Sequence, residues 1–113
     1  MFSLLIRQKG ACERCGTTTG QLQCAHIVSR RYTATRCDRE NAWCLCSTCH
    51  RRLTENPHEH VAFAVQTRGQ DGYDQLIELA YRGQKDKRIG GTAFWAFERA
   101  RLKELCRQEG IKL

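Results

Sequence analysis

The chain has 113 residues, carries 19 Lys/Arg against 12 Asp/Glu for a formal charge of +7, and contains eight cysteines. That length fits a single domain, 1–113, with a modest core, and no apolar run approaches the roughly 20 residues of a membrane span. The basic excess points to a polyanionic partner, with no membrane and no small-molecule cofactor expected. It is concentrated in residues 1–56, which hold nine Lys/Arg against four Asp/Glu.

Residues 2–9 read as a short lead-in helix within 1–11. The apolar Phe2–Ile6 stretch is too short for a signal h-region, and Arg7 and Lys9 follow it rather than precede it, so a cytoplasmic protein is expected. In a reducing compartment, paired cysteines more often hold metal than form disulfides. Cys12-Glu13-Arg14-Cys15-Gly16 reads as a tight knuckle, with Gly16 free to take a positive φ. After the polar loop Thr17–Gly20, residues 21–28 alternate polar and apolar at first and suit a strand. Residues 29–40 are polar and Arg-rich, a loop. Ala42–Leu45 reads as the returning strand, and Ser47 opens a helix carrying His50 and Leu53.

Asn56-Pro57-His58-Glu59 has the N-cap, first-turn proline and third-position glutamate of a capping box, with the helix ending at Gly69. His58 and His60 on it are expected to face solvent. Tyr73, Leu76, Ile77, Ala80 and Tyr81 mark an amphipathic helix over 71–82. Gly83–Gly91 is a charged loop, and Thr92 is placed to cap a last helix reaching about Gln108. The fold class is therefore α+β and mostly helical. A small ββα metal core at 12–56 is flanked by the lead-in helix and a helical extension at 57–113.

Cys12-x2-Cys15 and Cys46-x2-Cys49 are the strongest local signal. Each pair can bite one metal from a turn, and two pairs complete a tetrahedral structural Zn²⁺ site. Two alternatives stay open: Cys44 replacing Cys46, or Cys24 and His26 joining a pair. His50 could also be a spare zinc ligand. Cys24, Cys37, Cys44 and Cys106 are otherwise expected to pack in the interior.

Three segments lie between and beside these pairs: Cys24-Ala25-His26-Ile27, Arg39-Glu40-Asn41-Ala42, and Leu45-Cys46-Ser47-Thr48-Cys49-His50. Together with the knuckle they resemble the HNH endonuclease family, in its zinc-containing, treble-clef branch. The resemblance covers about residues 12–56; beyond it, a weaker likeness to small phage-type HNH proteins rests on the layout of that core followed by Gly69-Gln70-Asp71-Gly72-Tyr73-Asp74-Gln75-Leu76 and the terminal basic helix. It implies hydrolysis of DNA to 5′-phosphate and 3′-hydroxyl ends. His26 would be the general base, Asn41 would pin the loop and help orient His26, and His50 would bind a catalytic Mg²⁺ or Mn²⁺. Arg30, Arg31, Arg51 and Arg52 flank the two histidines and are the expected phosphate contacts. Many members carry Asp immediately before the first histidine as a second metal ligand; here it is Ala25, with Asp38 or Thr54 as conceivable substitutes. A homodimer is possible on this reading. A rival is a non-catalytic treble-clef module that keeps only the zinc and binds nucleic acid or protein. A toxin-like nuclease domain has no delivery or immunity segment to support it.

Overall fold

The computed structural model describes residues 1–113. Its elements in chain order are α1 (Phe2–Arg7), β1 (Leu22–His26), β2 (Ala42–Cys46), α2 (Ser47–Glu55), α3 (Pro57–Gln84) and α4 (Thr92–Gln108), with 3-10 turns at Thr33–Thr35 and Arg39–Asn41. The fold is α+β and mostly helical. No helix is long and apolar enough to cross a membrane.

β1 and β2 form an antiparallel pair in which Cys24 faces Cys44 and Ala25 faces Trp43. Side chains on a strand alternate between its two faces, and here both faces are covered. Ala25, Trp43 and Leu45 belong to a core shared with Leu53 of α2 and with Phe63, Ala64, Leu76 and Ala80 of α3. Ala42 and Cys44 face the other way, into a second core with Phe2, Leu5 and Ile6 of α1 and Leu102 and Cys106 of α4. That explains the unbroken apolar run of β2: a strand covered on both sides has no polar face to show. Trp43, Leu45, Leu5 and Ile6 are fully buried; the three aliphatic side chains among them contribute about 1.5–3 kcal/mol each relative to exposure. Trp43 also donates Nε1–H to Thr67 Oγ1 at 2.9 Å.

The outer edge of β2 is closed by the knuckle. Glu13 N donates to the Cys44 carbonyl at 2.8 Å, and the Glu13 carboxylate accepts from Cys44 N. On the outer edge of β1, His60 Nε2 meets the His26 carbonyl at 3.4 Å, and a cleft runs along the rest of that edge.

Several helix boundaries differ from the sequence reading. Gly69 (φ 76, ψ 161) does break the helix, separating α3 into two helical stretches. Yet no side chain caps α3: Asn56 Nδ2 donates back to the Arg52 carbonyl at 2.7 Å, and Glu59 pairs with Arg52 at 2.9 Å instead of reaching back to Asn56. Gly91, not Thr92, occupies the cap position of α4, and Thr92 is its first helical residue. Gly83 and Gln84 remain helical. His58 is exposed, but His60 is half-buried, edge-on to Trp43 with ring centroids 5.2 Å apart.

Gly83 has a packing reason that its helical position hides. A Cβ there would stand 2.4 Å from Cβ of Ala34, on the loop that α3 supports. Tyr81 seats the same loop, edge-on to Tyr32 at 5.5 Å. Gly83→Ala is expected to destabilise the protein by about 1–3 kcal/mol, the usual cost of overpacking. Ala34→Gly in the same chain should recover part of that loss, as read from denaturant midpoints of the single and double variants.

Candidate metal centre and active-site cleft

The two CxxC turns bring Cys12, Cys15, Cys46 and Cys49 together, with the four Sγ atoms all within 4.8 Å of one another. Cys15 Sγ and Cys46 Sγ are 3.8 Å apart. A tetrahedron with metal–sulfur distances of about 2.3 Å has edges of about 3.8 Å, so the set has the dimensions that Zn²⁺ needs. Each turn has the same internal geometry. The first cysteine sulfur accepts from the second cysteine's backbone N–H, at 3.5 Å for Cys12 and 3.4 Å for Cys46. Arg14 Nη1 adds a charged donor to Cys49 Sγ at 3.5 Å. Burial opposes ionisation of Cys12, but backbone N–H groups outweigh it and lower its pKa. Burial holds Cys49 high, countered by Arg14 and reinforced by the neighbouring thiols. Four sulfurs at this spacing can all be thiolates only around a cation. The cluster could hold a metal such as zinc, and it is the one grouping of three or more His, Cys, Asp or Glu side chains with metal-site proximity.

The other cysteines do not join it. Cys44 and Cys106 are fully buried in the second core. Burial raises Cys24 to about 11 and also raises Cys37 and Cys44, so all three remain thiols at neutral pH. Neither Cys24 nor Cys44 belongs to the cysteine grouping with metal-site proximity, so the alternatives with either as a ligand lack the geometry.

His26 ends β1 and His50 lies one residue beyond Cys49 on α2. Both open onto the cleft along the edge of β1, a space of about 720 Å3 lined also by Ser3, Arg7, Gln23 and Arg30. No carboxylate lines it. His26 Nε2 donates to the Arg36 carbonyl at 2.8 Å; since a carbonyl can only accept, the neutral ring carries its proton on Nε2 and leaves Nδ1 as a free base. His50 is held the opposite way. Its Nδ1 donates to Gln23 Oε1 at 2.7 Å, which leaves Nε2 free as a ligand atom, the arrangement by which a second partner fixes a metal-binding imidazole. Burial lowers the pKa of His26; the Arg36 carbonyl opposes this, and the charges of Arg30 and Arg36 add to it. His50 is lowered by burial and then by His26 and His60. Both rings are thus neutral at pH 7.

Asn41 is fully buried. Its Oδ1 accepts from Val28 N at 2.8 Å, and its Nδ2 donates to the carbonyls of Val28 and Thr35 at 3.0 Å each. It pins both ends of the loop that supplies the Arg36 carbonyl, and it acts on His26 only through that loop. Ala25 is 3 % exposed and packs in the Trp43 core.

Of the four arginines named from sequence, Arg30 lines the cleft and Arg51 lines a shallower hollow on the other side of His50. Arg31 lies over the Tyr32 ring at 5.0 Å, and Arg52 is engaged with Glu59. Sequence reasoning missed Gln23, Arg7 and Ser3, which reach the cleft only through tertiary packing; α1 gave no local sign of it.

Comparison with protein-family models, with curated proteins and with solved structures gives no match for this chain.

If the four cysteines are the metal centre, elemental analysis should find about one zinc per chain, the stoichiometry of a closed four-thiolate site. Cys46→Ser should lose both the metal and the folded state, because metal binding at such a site is folding free energy. Cys44→Ser should keep the metal. Unchanged zinc in Cys46→Ser would overturn the assignment.

Proposed function

We propose that the chain is a metal-dependent HNH-type endonuclease that hydrolyses DNA phosphodiester bonds, built on a treble-clef core stapled by zinc at Cys12, Cys15, Cys46 and Cys49. The observation that carries this reading is the pairing of His26 and His50. They face one open cleft without carboxylates, and each ring has one nitrogen committed to the protein and the other free.

In this reading neutral His26 takes a proton from water on Nδ1 as the oxygen attacks phosphorus. The P–O3′ bond breaks, the departing 3′ oxygen takes a proton from solvent, and the phosphate stays on the 5′ end. Charge that develops on the His26 ring is stabilised at Nε2–H by the Arg36 carbonyl, the role that a partnered carboxylate plays in a hydrolase triad. His50 would hold a divalent cation through Nε2, with Gln23 fixing its ring. When bound, Mg²⁺ or Mn²⁺ polarises the phosphate and stabilises charge on the leaving oxygen. Mg²⁺ prefers oxygen ligands and gives up its water reluctantly, so a lone imidazole would hold Mn²⁺ more readily, and with Ala25 in the core no second side chain joins His50 in a three-ligand group. Cleavage in Mn²⁺ is therefore expected to exceed that in Mg²⁺. Arg30, Arg31, Arg51 and Arg52 would contribute phosphate contacts, with Arg52 the weakest because of Glu59.

Incubation with supercoiled plasmid tests the reading. His26→Ala is expected to slow cleavage by about 10²–10⁴, the usual loss on removing a general base, while zinc content and DNA affinity hold. His50→Ala should lose at least as much and regain part of it at higher Mn²⁺, which His26→Ala cannot do. Wild-type rates in both variants would leave a non-catalytic zinc module as the better account. Acid also has a defined effect. Only neutral His26 can accept a proton, and its pKa lies below the ordinary 6.5. So kcat/KM should rise with pH through a midpoint below 6.5 and then level off; a midpoint above 6.5 would assign the proton transfer to another group.

A further inference from the structure

The cleft has a second basic wall that the HNH core does not supply. Ser3 and Arg7 come from α1, whereas Ser29 and Arg30 follow β1, and the two histidines lie in the same cleft. Arg7 is exposed, and its Nε donates to Ser3 Oγ at 3.0 Å and to the Ser3 carbonyl at 3.4 Å. That grip fixes the root of the guanidinium, while its two terminal nitrogens bond to nothing in the protein and no carboxylate pairs with it.

The contrast with arginines elsewhere is informative. Arg52 pairs with Glu59, Arg88 with Asp86, Arg101 with Glu98 and Arg107 with Glu104. Arg7 and Arg30 have no such partner and share a cleft that contains no Asp or Glu. An arginine held at its root with its fork free, in a site of one sign of charge, is arranged for bidentate contact with an anionic oxygen pair. Charge focused in a concave site also attracts anions more strongly than the same charge spread over a flat surface.

The geometry points to Arg7, supported by Ser3, as a phosphate-binding residue that grips the nucleic-acid backbone beside the phosphate placed between His26 and His50, with Arg30 gripping it separately. The inference rests on the proposed nuclease reading for the identity of the strand, but binding by Arg7 requires no chemistry at the histidines. The occupant is one sugar–phosphate strand, because the cleft is open at the surface and lined by arginines with no Asp or Glu among them. α1 is then part of the substrate site as well as a cover for the second core.

Full-length, zinc-loaded protein binding a fluorescent DNA duplex in EDTA, over a series of salt concentrations, provides the test. EDTA is added just before each reading, and zinc retention is checked in parallel. Each lost phosphate contact lowers the slope of log affinity against log salt by roughly 0.9 on duplex DNA. Arg7→Gln should show that loss together with weaker binding, and Arg88→Gln should show neither. Arg7→Lys, which keeps the charge and loses the fork, should retain the slope at reduced affinity and covers the case in which Arg7→Gln folds poorly. Inorganic phosphate at matched ionic strength should compete only weakly; strong competition would mean a site for free phosphate. If Arg7→Gln keeps the wild-type slope, or Arg88→Gln loses as much, the inference is overturned while the nuclease reading stands. If wild type shows no salt-dependent DNA binding, both fall. If DNA binds with the expected slope change but no metal supports cleavage, the nuclease reading alone fails.

Discussion

The side-chain amide of Asn41 makes three buried hydrogen bonds to the loop it closes: with Val28 through both its N–H and its carbonyl, and with Thr35 through its carbonyl. The Asn41 carbonyl adds a bond from Ile27 N at 2.9 Å. Each such bond is worth about 1 kcal/mol net, yet leaving one of these buried partners unpaired would cost about 1–3 kcal/mol. The loop is therefore closed firmly despite its polar, Arg-rich sequence. What the closure delivers is one carbonyl, that of Arg36, in line with His26 Nε2. The tautomer of His26, and with it the free Nδ1 on which a general base depends, follows from a residue fifteen positions further along the chain. Arg36 is held from the other side as well. Its Nε donates to the Arg30 carbonyl at 2.6 Å and its guanidinium lies over the Trp95 ring at 5.3 Å.

The cysteine cluster does the matching work for His50. It ties the knuckle to the first turn of α2, and Glu13 ties that knuckle to the edge of β2. The orientation of α2 is thereby set against the hairpin, and His50 leaves the helix immediately after a cluster cysteine. Gln23 completes the placement from β1, so the two histidines are both referenced to the same strand. Precision of this kind comes from rigid elements and supporting contacts rather than from the reacting residues themselves.

Much of this framework was legible in the sequence because it depends on local chemistry. Doubled CxxC spacing, the apolar run of β2 and the break at Gly69 each follow from what a short segment must do regardless of its surroundings. The parts that were not legible depend on partners distant in the chain. Glu59 has the position of a capping-box residue but finds Arg52 across the α2–α3 junction, and that contact displaces the local one. His60 looks like a surface histidine until Trp43 is placed beside it. Gly83 reads as the start of a loop, and only the helix that continues through it and the approach of Ala34 show why a side chain is excluded. Gln23 and Arg7 belong to the site because β1 and α1 border the same cleft, a fact with no signature in either segment.

Charge placement links the two halves of the proposed site. Arg30 and Arg36 help to hold His26 neutral in the free protein by disfavouring its protonated form. The same positive field would draw a phosphodiester toward the cleft, and a bound phosphate would offset part of that field. In the proposed function His26 would therefore be more basic with the strand in place than when the cleft holds only water, which is the order a general base requires. A carboxylate in the cleft would raise the basicity of His26 in the free protein and repel the strand at the same time. The absence of Asp and Glu from this cleft, in a chain that contains 12 of them, would serve both ends of the proposed function. The carboxylates are instead placed outside the cleft, where many of them neutralise arginines such as Arg52 and Arg101. Which arginines remain free is thus set partly by local pairs such as Arg101–Glu98 and Arg107–Glu104 and partly by tertiary ones such as Arg39–Glu109 and Arg68–Glu40, and the basic excess of the sequence becomes a directed field only after both are made.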